Sequence, residues 1–149
     1  MNTMKSFLHN PINEMMIASA KVAHVQLGNS LEHALLVLIK SGYSAIPVLD
    51  SSYRIQGQIS TTLILDFILG LERIEHEKLS QHTVDEVMNS KIPRMQVTDH
   101  FMKALELSIN HPFVCIEDES GKFVGILTRK NILALTYQYF RQHGDNKTT

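Results

Sequence analysis

The chain of 149 residues contains the same pattern twice. Residues 12–16 (INEMM) return as residues 84–88 (VDEVM), 72 positions later, and residues 64–65 return as 132–133, 68 positions later. The shrinking offset indicates two small loop deletions in the second copy. Two related units of about 70 residues usually pack together, because neither buries its apolar face alone. The duplication therefore predicts a paired fold with pseudo-twofold symmetry and a ligand cleft where the copies meet.

Composition and charge exclude several classes of function. A hydrophobic fraction of 44% and a charged fraction of 19% are typical of a soluble globular protein. A formal net charge of -1 gives no electrostatic footprint for nucleic acid or an acidic membrane, so we expect neither partner. The single cysteine, Cys115, cannot form an internal disulfide, which fits a reducing compartment. No apolar run could span a membrane and the N-terminus lacks the apolar core of a signal peptide, so we expect a cytoplasmic location.

Each copy has the same predicted order of elements. A short helix and an extended segment precede an amphipathic helix, two strands and a closing helix. Ser30 and Asp99 are predicted to cap the amphipathic helices, and Gly42 is predicted to end the first of them. Ser60 and Thr128 are predicted to cap the closing helices. The predicted strand pairs are residues 45–49 with 57–59 and residues 113–116 with 125–127.

These tandem units resemble a pair of CBS domains, an α+β arrangement known as a Bateman module. The motifs that carry the resemblance are residues 42–48 (GYSAIPV) and residues 125–132 (GILTRKNI). The resemblance spans roughly residues 10–140, and it implies a first CBS domain at 10–72 and a second at 83–140. In this family the cleft between the two domains binds adenosine-containing nucleotides. No catalysis is attributed to the module, so the resemblance implies a protein that is not an enzyme.

A closer resemblance is to the small stand-alone CBS-pair proteins of Gram-positive bacteria that bind cyclic di-AMP. It rests on residues 21–26 (KVAHVQ), 31–38 (LEHALLVL), 42–50 (GYSAIPVLD) and 70–75 (GLERIE). It implies cyclic di-AMP as the ligand and no cofactor. It also implies a homodimer, with the (p)ppGpp synthetase-hydrolase and pyruvate carboxylase as partners of the ligand-free state.

The resemblance assigns nucleotide binding to nine residues. They are Lys21, Ala23, Tyr43, Ser44, Ala45, Thr128, Arg129, Lys130 and Asn131. Arg129 can form paired hydrogen bonds to a phosphate, and the small side chain of Ala23 lets the base approach the backbone. Asn131 stands where the family carries a ribose-binding Asp, and it keeps an acceptor without adding negative charge. The first copy has Leu63 at that position, which predicts one working site and one defunct site.

The residues themselves also permit other interpretations. Taken alone, Arg129 and Lys130 are typical solvated surface charges, and Tyr43 is a typical half-buried packing residue. The eight histidines are scattered without metal-ligand spacing, which indicates no metal site. Three rival functions remain: a sensor of AMP, ADP or ATP, an enzyme acting on a nucleotide, and a ligand-free structural dimerisation module. The lack of a paired acid and base near the motifs disfavours the enzyme.

Overall fold

The computed structural model describes residues 2–9 and 12–144, which separate into two compact units, each with its own sheet. The three-stranded unit comprises residues 21–92 and 120–123. The four-stranded unit comprises the other described residues. Among residues 2–9 and 12–144, no helix has the length and apolar character needed to cross a membrane.

The regular elements follow one another along the chain in the order predicted for a duplicated fold. They are α1 (Asn2–Leu8), β1 (Ile17–Ala18), β2 (Val25–Gln26), α2 (Leu31–Ser41), β3 (Ala45–Leu49), β4 (Ile55–Ser60), α3 (Thr61–Ile68), α4 (Lys78–Gln81), α5 (Val84–Val87), β5 (Arg94–Gln96), α6 (Phe101–Ser108), β6 (Phe113–Glu117), β7 (Phe123–Thr128) and α7 (Arg129–Gly144). Two 3₁₀ turns, Ile12–Glu14 and Ser19–Lys21, flank β1. Helix α1 and strand β1 are elements that the sequence patterns did not predict.

The three-stranded unit has the strand order β2-β3-β4, with β3 parallel to β2 and antiparallel to β4. Helix α2 begins as predicted, because the Ser30 hydroxyl oxygen accepts from the His33 N–H at 3.1 Å. It ends as predicted at Gly42, whose φ of 80° is the left-handed conformation that glycine adopts without strain. The apolar face of α2 covers the sheet. The buried core residues are Val25, Leu31, Ala34, Leu38, Ile46, Val48, Ile59, Ile64 and Val84.

The four-stranded unit has the strand order β1-β7-β6-β5, with β5 parallel to β6 and β1 antiparallel to β7. Its buried core residues are Ile12, Met95, Phe101, Ala104, Val114, Ile116, Leu127 and Ile132. The predicted cap at Asp99 is wrong, because His100 occupies the N-cap position of α6 without a side-chain capping bond. The Asp99 carboxylate instead accepts from the Gln96 N–H at 2.8 Å and closes the preceding turn.

The first segment of each repeat lies in the unit built around the rest of the other repeat. Residues 12–20 belong to the four-stranded unit, where Ile17 pairs with Ile126. Residues 83–92 belong to the three-stranded unit, where Asn89 and Gln58 exchange backbone hydrogen bonds of 2.9 and 2.8 Å. Each unit is therefore assembled from both halves of the chain.

Two equivalent glycines make this arrangement possible. A Cβ added at Gly57 would lie 2.7 Å from the Asn89 carbonyl oxygen, and one at Gly125 would lie 2.5 Å from the Ile17 carbonyl oxygen. Real Cβ atoms essentially never approach an atom that closely. Glycine recurs at both places because the incoming segment passes directly over the strand at that residue.

Candidate functional site

The motif of the second repeat lies where β7 ends and α7 begins, in the four-stranded unit. The Thr128 hydroxyl oxygen accepts from the Asn131 N–H at 3.1 Å, so Thr128 caps α7 as predicted. Thr128, Arg129 and Asn131 are half-buried, whereas Lys130 is exposed. The cap brings these four residues into one helical turn. The first turn of a helix attracts anions because its backbone N–H groups and dipole are positive there.

Arg129 is held in place by two bonds to the segment that ends α6. Its backbone N–H donates to the Pro112 carbonyl at 2.8 Å, and its side-chain Nε donates to the Ser108 carbonyl at 2.8 Å. Ser108 is the last residue of α6, where carbonyl oxygens carry partial negative charge. These bonds use only Nε of the guanidinium, and the two Nη groups make no hydrogen bond within residues 2–9 and 12–144. The Nη groups are the paired donors that bind a phosphate.

Tyr43, Ser44 and Ala45 form the turn from α2 into β3 in the three-stranded unit. Tyr43 packs against the apolar core of that unit, so part of its ring has the packing role expected of a half-buried tyrosine. The Ser44 carbonyl accepts from the Thr61 N–H at 3.1 Å, while the rest of Ser44 is exposed. Ala45 is the first residue of β3 and pairs with Ser60. Backbone bonds on both sides thus hold this turn in one conformation.

Lys21 and Ala23 lie before β2 in the same unit. Lys21 is the last residue of a 3₁₀ turn and is exposed. Ala23 is half-buried and packs against the core of the three-stranded unit. The predicted residues therefore form two groups. Lys21, Ala23, Tyr43, Ser44 and Ala45 lie in the three-stranded unit, and Thr128, Arg129, Lys130 and Asn131 lie in the four-stranded unit.

The first repeat repeats the backbone of this motif with different side chains. The Ser60 hydroxyl oxygen accepts from the Leu63 N–H at 3.0 Å, which caps α3 as Thr128 caps α7. An open cavity of about 520 Å³ lies beside this cap in the three-stranded unit. Its lining residues are Ala45, Gln58, Ser60, Thr62, Leu63, Met88 and Asn89. Its volume suits a small molecule, but Leu63 stands where the second repeat offers the amide of Asn131.

Two carboxylates in the first turn of α5 have lowered pKa values because they accept hydrogen bonds. The Gly28 N–H donates to Asp85 at 2.9 Å and lowers the pKa of that carboxyl. The Thr83 N–H donates to Glu86 at 2.7 Å and, with the ring of His82, lowers the pKa of Glu86. Both groups thus favour the ionised form as hydrogen-bond acceptors rather than acting as proton donors. Among residues 2–9 and 12–144, no cluster of three or more His, Cys, Asp or Glu residues could hold a metal ion.

Sequence patterns did not identify the anchors of the site. The Ser108 and Pro112 carbonyls that hold Arg129 are backbone atoms, and any residue type supplies them. The signal that could have located them is the repeat itself. Thr61 and Ser44 make the bond in the first repeat that Arg129 and Pro112 make in the second, 68 positions later.

Known proteins resemble the chain over nearly its whole length. The CBS domain family model matches residues 13–70 and 84–136. Cyclic di-AMP receptor B of Bacillus subtilis (strain 168) is 52% identical over 134 residues, which cover 90% of this chain and 91% of that protein.

Two crystal structures share both the fold and much of the sequence. A CBS domain-containing protein of unknown function from Bacillus anthracis is 56% identical with a TM-score of 0.86, covering 91% of this chain and 98% of that one. The CbpB protein of Listeria monocytogenes in complex with c-di-AMP is 46% identical with a TM-score of 0.82, covering 89% of this chain and 99% of that one.

Proposed function

The chain belongs to the CBS-domain family, and we propose that it is a cyclic di-AMP receptor that regulates partner proteins through nucleotide-dependent binding. The observation that carries the proposal is the 52% identity to a protein named as a cyclic di-AMP receptor. The CbpB protein of Listeria monocytogenes, which is 46% identical, was crystallised with c-di-AMP and supports the same ligand. The proposed CBS domains are residues 10–72 and 83–140.

The proposed binding residues are the nine assigned from the sequence. Arg129 supports the proposal most directly, because its Nε bond to the Ser108 carbonyl leaves both Nη groups to donate to one phosphodiester. A side chain held before the ligand arrives loses less conformational entropy on binding. Lys130 adds a second positive charge in the same helical turn. Asn131 offers an amide to the ribose without placing a carboxylate near the two phosphodiesters.

The three-stranded unit is proposed to supply the base-binding residues. Ala23 has only a methyl group, so an adenine ring can approach the backbone there. The Tyr43 ring can stack on the base with the part that does not pack on the core, and Ser44 is exposed and able to form a hydrogen bond. Ala45 presents its backbone to the adenine edge, and Lys21 adds a positive charge at the start of this segment.

The direct test is calorimetric titration of the protein with cyclic di-AMP, AMP, ATP and cyclic di-GMP. We expect cyclic di-AMP to bind most tightly, with one molecule per chain. Tighter binding of AMP or ATP would replace the proposal with an adenylate sensor. An Ala23→Leu variant whose melting curve shows a folded protein should lose the stabilisation by ligand, whereas a wild-type thermal shift would place the base elsewhere.

Regulation of other proteins is the proposed output, and a homodimer in the cytoplasm is the proposed working state. The candidate partners are the (p)ppGpp synthetase-hydrolase and pyruvate carboxylase. Because linkage is reciprocal, saturating nucleotide should weaken a complex made by the ligand-free protein, and excess partner should weaken nucleotide binding by the same factor. The usual range is roughly 5- to 150-fold. Pull-downs with and without nucleotide measure the effect, and a complex indifferent to cyclic di-AMP would contradict this mechanism for that partner.

A further inference from the structure

The turn that follows α3 exposes three large apolar side chains within six residues. Leu69 is 57% exposed, Leu71 is 106% exposed and Ile74 is 57% exposed. A single exposed leucine is ordinary on a protein surface, whereas a cluster of exposed large apolar side chains marks an interaction site. We name residues 69–75 the apolar turn.

The backbone of the apolar turn is closed by hydrogen bonds. Leu69 and Ile74 form an antiparallel bridge, and the Gly70 N–H donates to the Arg73 carbonyl at 2.9 Å. The Glu75 N–H donates to the Ile68 carbonyl at 2.6 Å, which ties the turn to the end of α3. The apolar side chains are therefore presented on a fixed frame, and binding them costs little conformational entropy.

Arg73, which lies in the apolar turn, and Lys78, which follows it, are each paired with a carboxylate of the same chain. Arg73 makes two hydrogen bonds to Glu77, at 2.9 and 2.6 Å. Lys78 forms an ion pair with Glu75 at 2.8 Å and also lies 4.9 Å above the Phe67 ring centre.

Two carboxylates, Glu72 within the apolar turn and Asp66 in α3 beside it, have no such partner in the described ranges 2–9 and 12–144. Both side chains are exposed. The exposed apolar side chains are thus bordered by net negative charge, which fits a basic surface.

The corresponding position of the second repeat has a different environment. Tyr139, 68 positions after Leu71, is buried in α7, and its ring stacks on Phe7 at 4.4 Å. Leu71 has no such cover in its own unit. Self-association through the apolar turn would place like charges together, because a twofold contact brings the same patch of each copy face to face.

We propose that the apolar turn docks into an apolar pocket bordered by basic side chains on a partner protein. The proposal rests on the proposed function, in which a nucleotide receptor regulates partner proteins by binding them. Leu71 is the central contact, since its side chain is fully exposed and its backbone is held on both sides. Glu72 provides the charge that orients the docking.

The test compares Leu71→Asp with Ile109→Asp. Ile109 is 73% exposed at the end of α6, so the control makes the same change from apolar to acidic in the other unit. Affinity for the (p)ppGpp synthetase-hydrolase and for pyruvate carboxylase is measured for both variants. Cyclic di-AMP affinity and solution mass are measured on the same samples. We expect Leu71→Asp to weaken at least one complex roughly ten- to a hundredfold, with nucleotide affinity and mass unchanged.

Three results would overturn the proposal. Wild-type affinity of Leu71→Asp for every protein that binds the wild type would exclude the apolar turn. Conversion of the variant to a lower mass would make the turn a contact between copies. A wild-type chain that binds cyclic di-AMP but neither candidate protein would reject the docking proposal together with the named partners, while the receptor itself stands. Failure to bind cyclic di-AMP would instead reject the proposed ligand.

A labelling experiment reports burial of the turn directly. The one native cysteine, Cys115, is buried, so a Leu71→Cys variant carries a single accessible thiol. An environment-sensitive dye on that thiol should shift to shorter wavelength when the partner binds. The same dye on an Ile109→Cys variant should not shift. A shift at position 109 and none at position 71 would move the docking surface to the other unit.

Discussion

The two repeats share a backbone and differ in the side chains set upon it. Ser60 and Thr128 cap α3 and α7 with the same hydrogen bond, and Gly57 and Gly125 each pass beneath a carbonyl oxygen of an incoming segment. Three residues after the cap, the first repeat has Leu63 and the second has Asn131. The comparison shows that the fold fixes the cap and the glycine, whereas the residues after the cap are free to acquire a function.

The repeats also differ in how their closing helices end. Helix α3 stops at Ile68 after 8 residues, whereas α7 continues for 16 residues. The extra turns of α7 carry Tyr139 to the ring of Phe7. The early stop of α3 produces an exposed turn instead. One repeat has thus used this region for packing, and the other has left it available.

The largest expected effect on stability concerns what the repeats share. Gly125→Ala places a methyl group 2.5 Å from the Ile17 carbonyl, so β1 has to move from β7, and we expect about 1–3 kcal/mol of lost stability. Gly57→Ala should cost somewhat less, because its contact is 2.7 Å. Gly144→Ala is the control, since a Cβ there meets no atom within 4 Å. Denaturant unfolding measures the free energy of unfolding of all three variants. Equal values would contradict the claim that close backbone contacts require glycine at positions 57 and 125.

Arg129→Met tests whether the residue after the cap binds nucleotide in the second repeat but not in the first. We expect cyclic di-AMP affinity to fall by about 1.5–3 kcal/mol, or roughly ten- to a hundredfold, because a charge-assisted phosphate contact is lost. Thr61→Met is the matched change in the first repeat and should leave affinity unchanged. Calorimetry measures affinity, and a melting curve checks that loss of the bond to the Ser108 carbonyl does not unfold the protein. Undiminished affinity would remove Arg129 from the site.

Substitutions three positions after the caps test whether only the second repeat binds nucleotide. Asn131→Leu should weaken binding by about 0.5–1.5 kcal/mol, or roughly two- to tenfold, since one hydrogen bond is lost. Leu63→Asp should leave binding intact with one nucleotide per chain. Titration stoichiometry is the measurement. Two molecules per wild-type chain would show that the cavity beside Leu63 is a working site.

The smallest effect concerns the ion pair beside the apolar turn. The hydrogen bonds from Arg73 lower the pKa of Glu77 from 4.5 to about 2. Because the folded pKa is the lower one, the contribution of the pair is complete above about pH 4.5 and is lost as the pH falls towards about 2. Glu77→Gln should therefore speed amide exchange of Gly70 and Glu75 near neutral pH. Glu72→Gln is the control. Equal amide exchange in the two variants would show that the pair between Arg73 and Glu77 does not stabilise the apolar turn.

Sequence patterns predicted most of the elements because they depend on local signals. Ser30, Gly42, Ser60 and Thr128 end or begin helices through bonds within a few residues, and those predictions are confirmed. The prediction that Asp99 caps α6 was wrong, because an aspartate carboxylate can close a turn as well as cap a helix. A helix that begins one residue later than predicted leaves Asp99 in the turn. The binding of nucleotide by the nine assigned residues stays a prediction.

The exchanged segments depend on contacts distant in sequence. Residues 12–20 lie beside β7, more than 100 positions away, and no local pattern indicates such a partner. The glycines at positions 57 and 125 carry the information, but a glycine in a strand is also read as a simple bulge or turn. The duplication shows that the two glycines are equivalent. The structure shows that a backbone carbonyl oxygen at each position leaves no room for a Cβ atom.

The exchange of leading segments has a consequence for how such a chain can arise and be divided. A polypeptide of one repeat would lack the segment that pairs with its last strand in this structure, and would have to take it from a second molecule. A single-repeat ancestor would therefore be an obligate pair, with assembly limited by concentration. Joining two copies in one gene replaces that encounter by a tethered one at high effective concentration. Cutting this chain between its repeats should yield fragments that are stable only together.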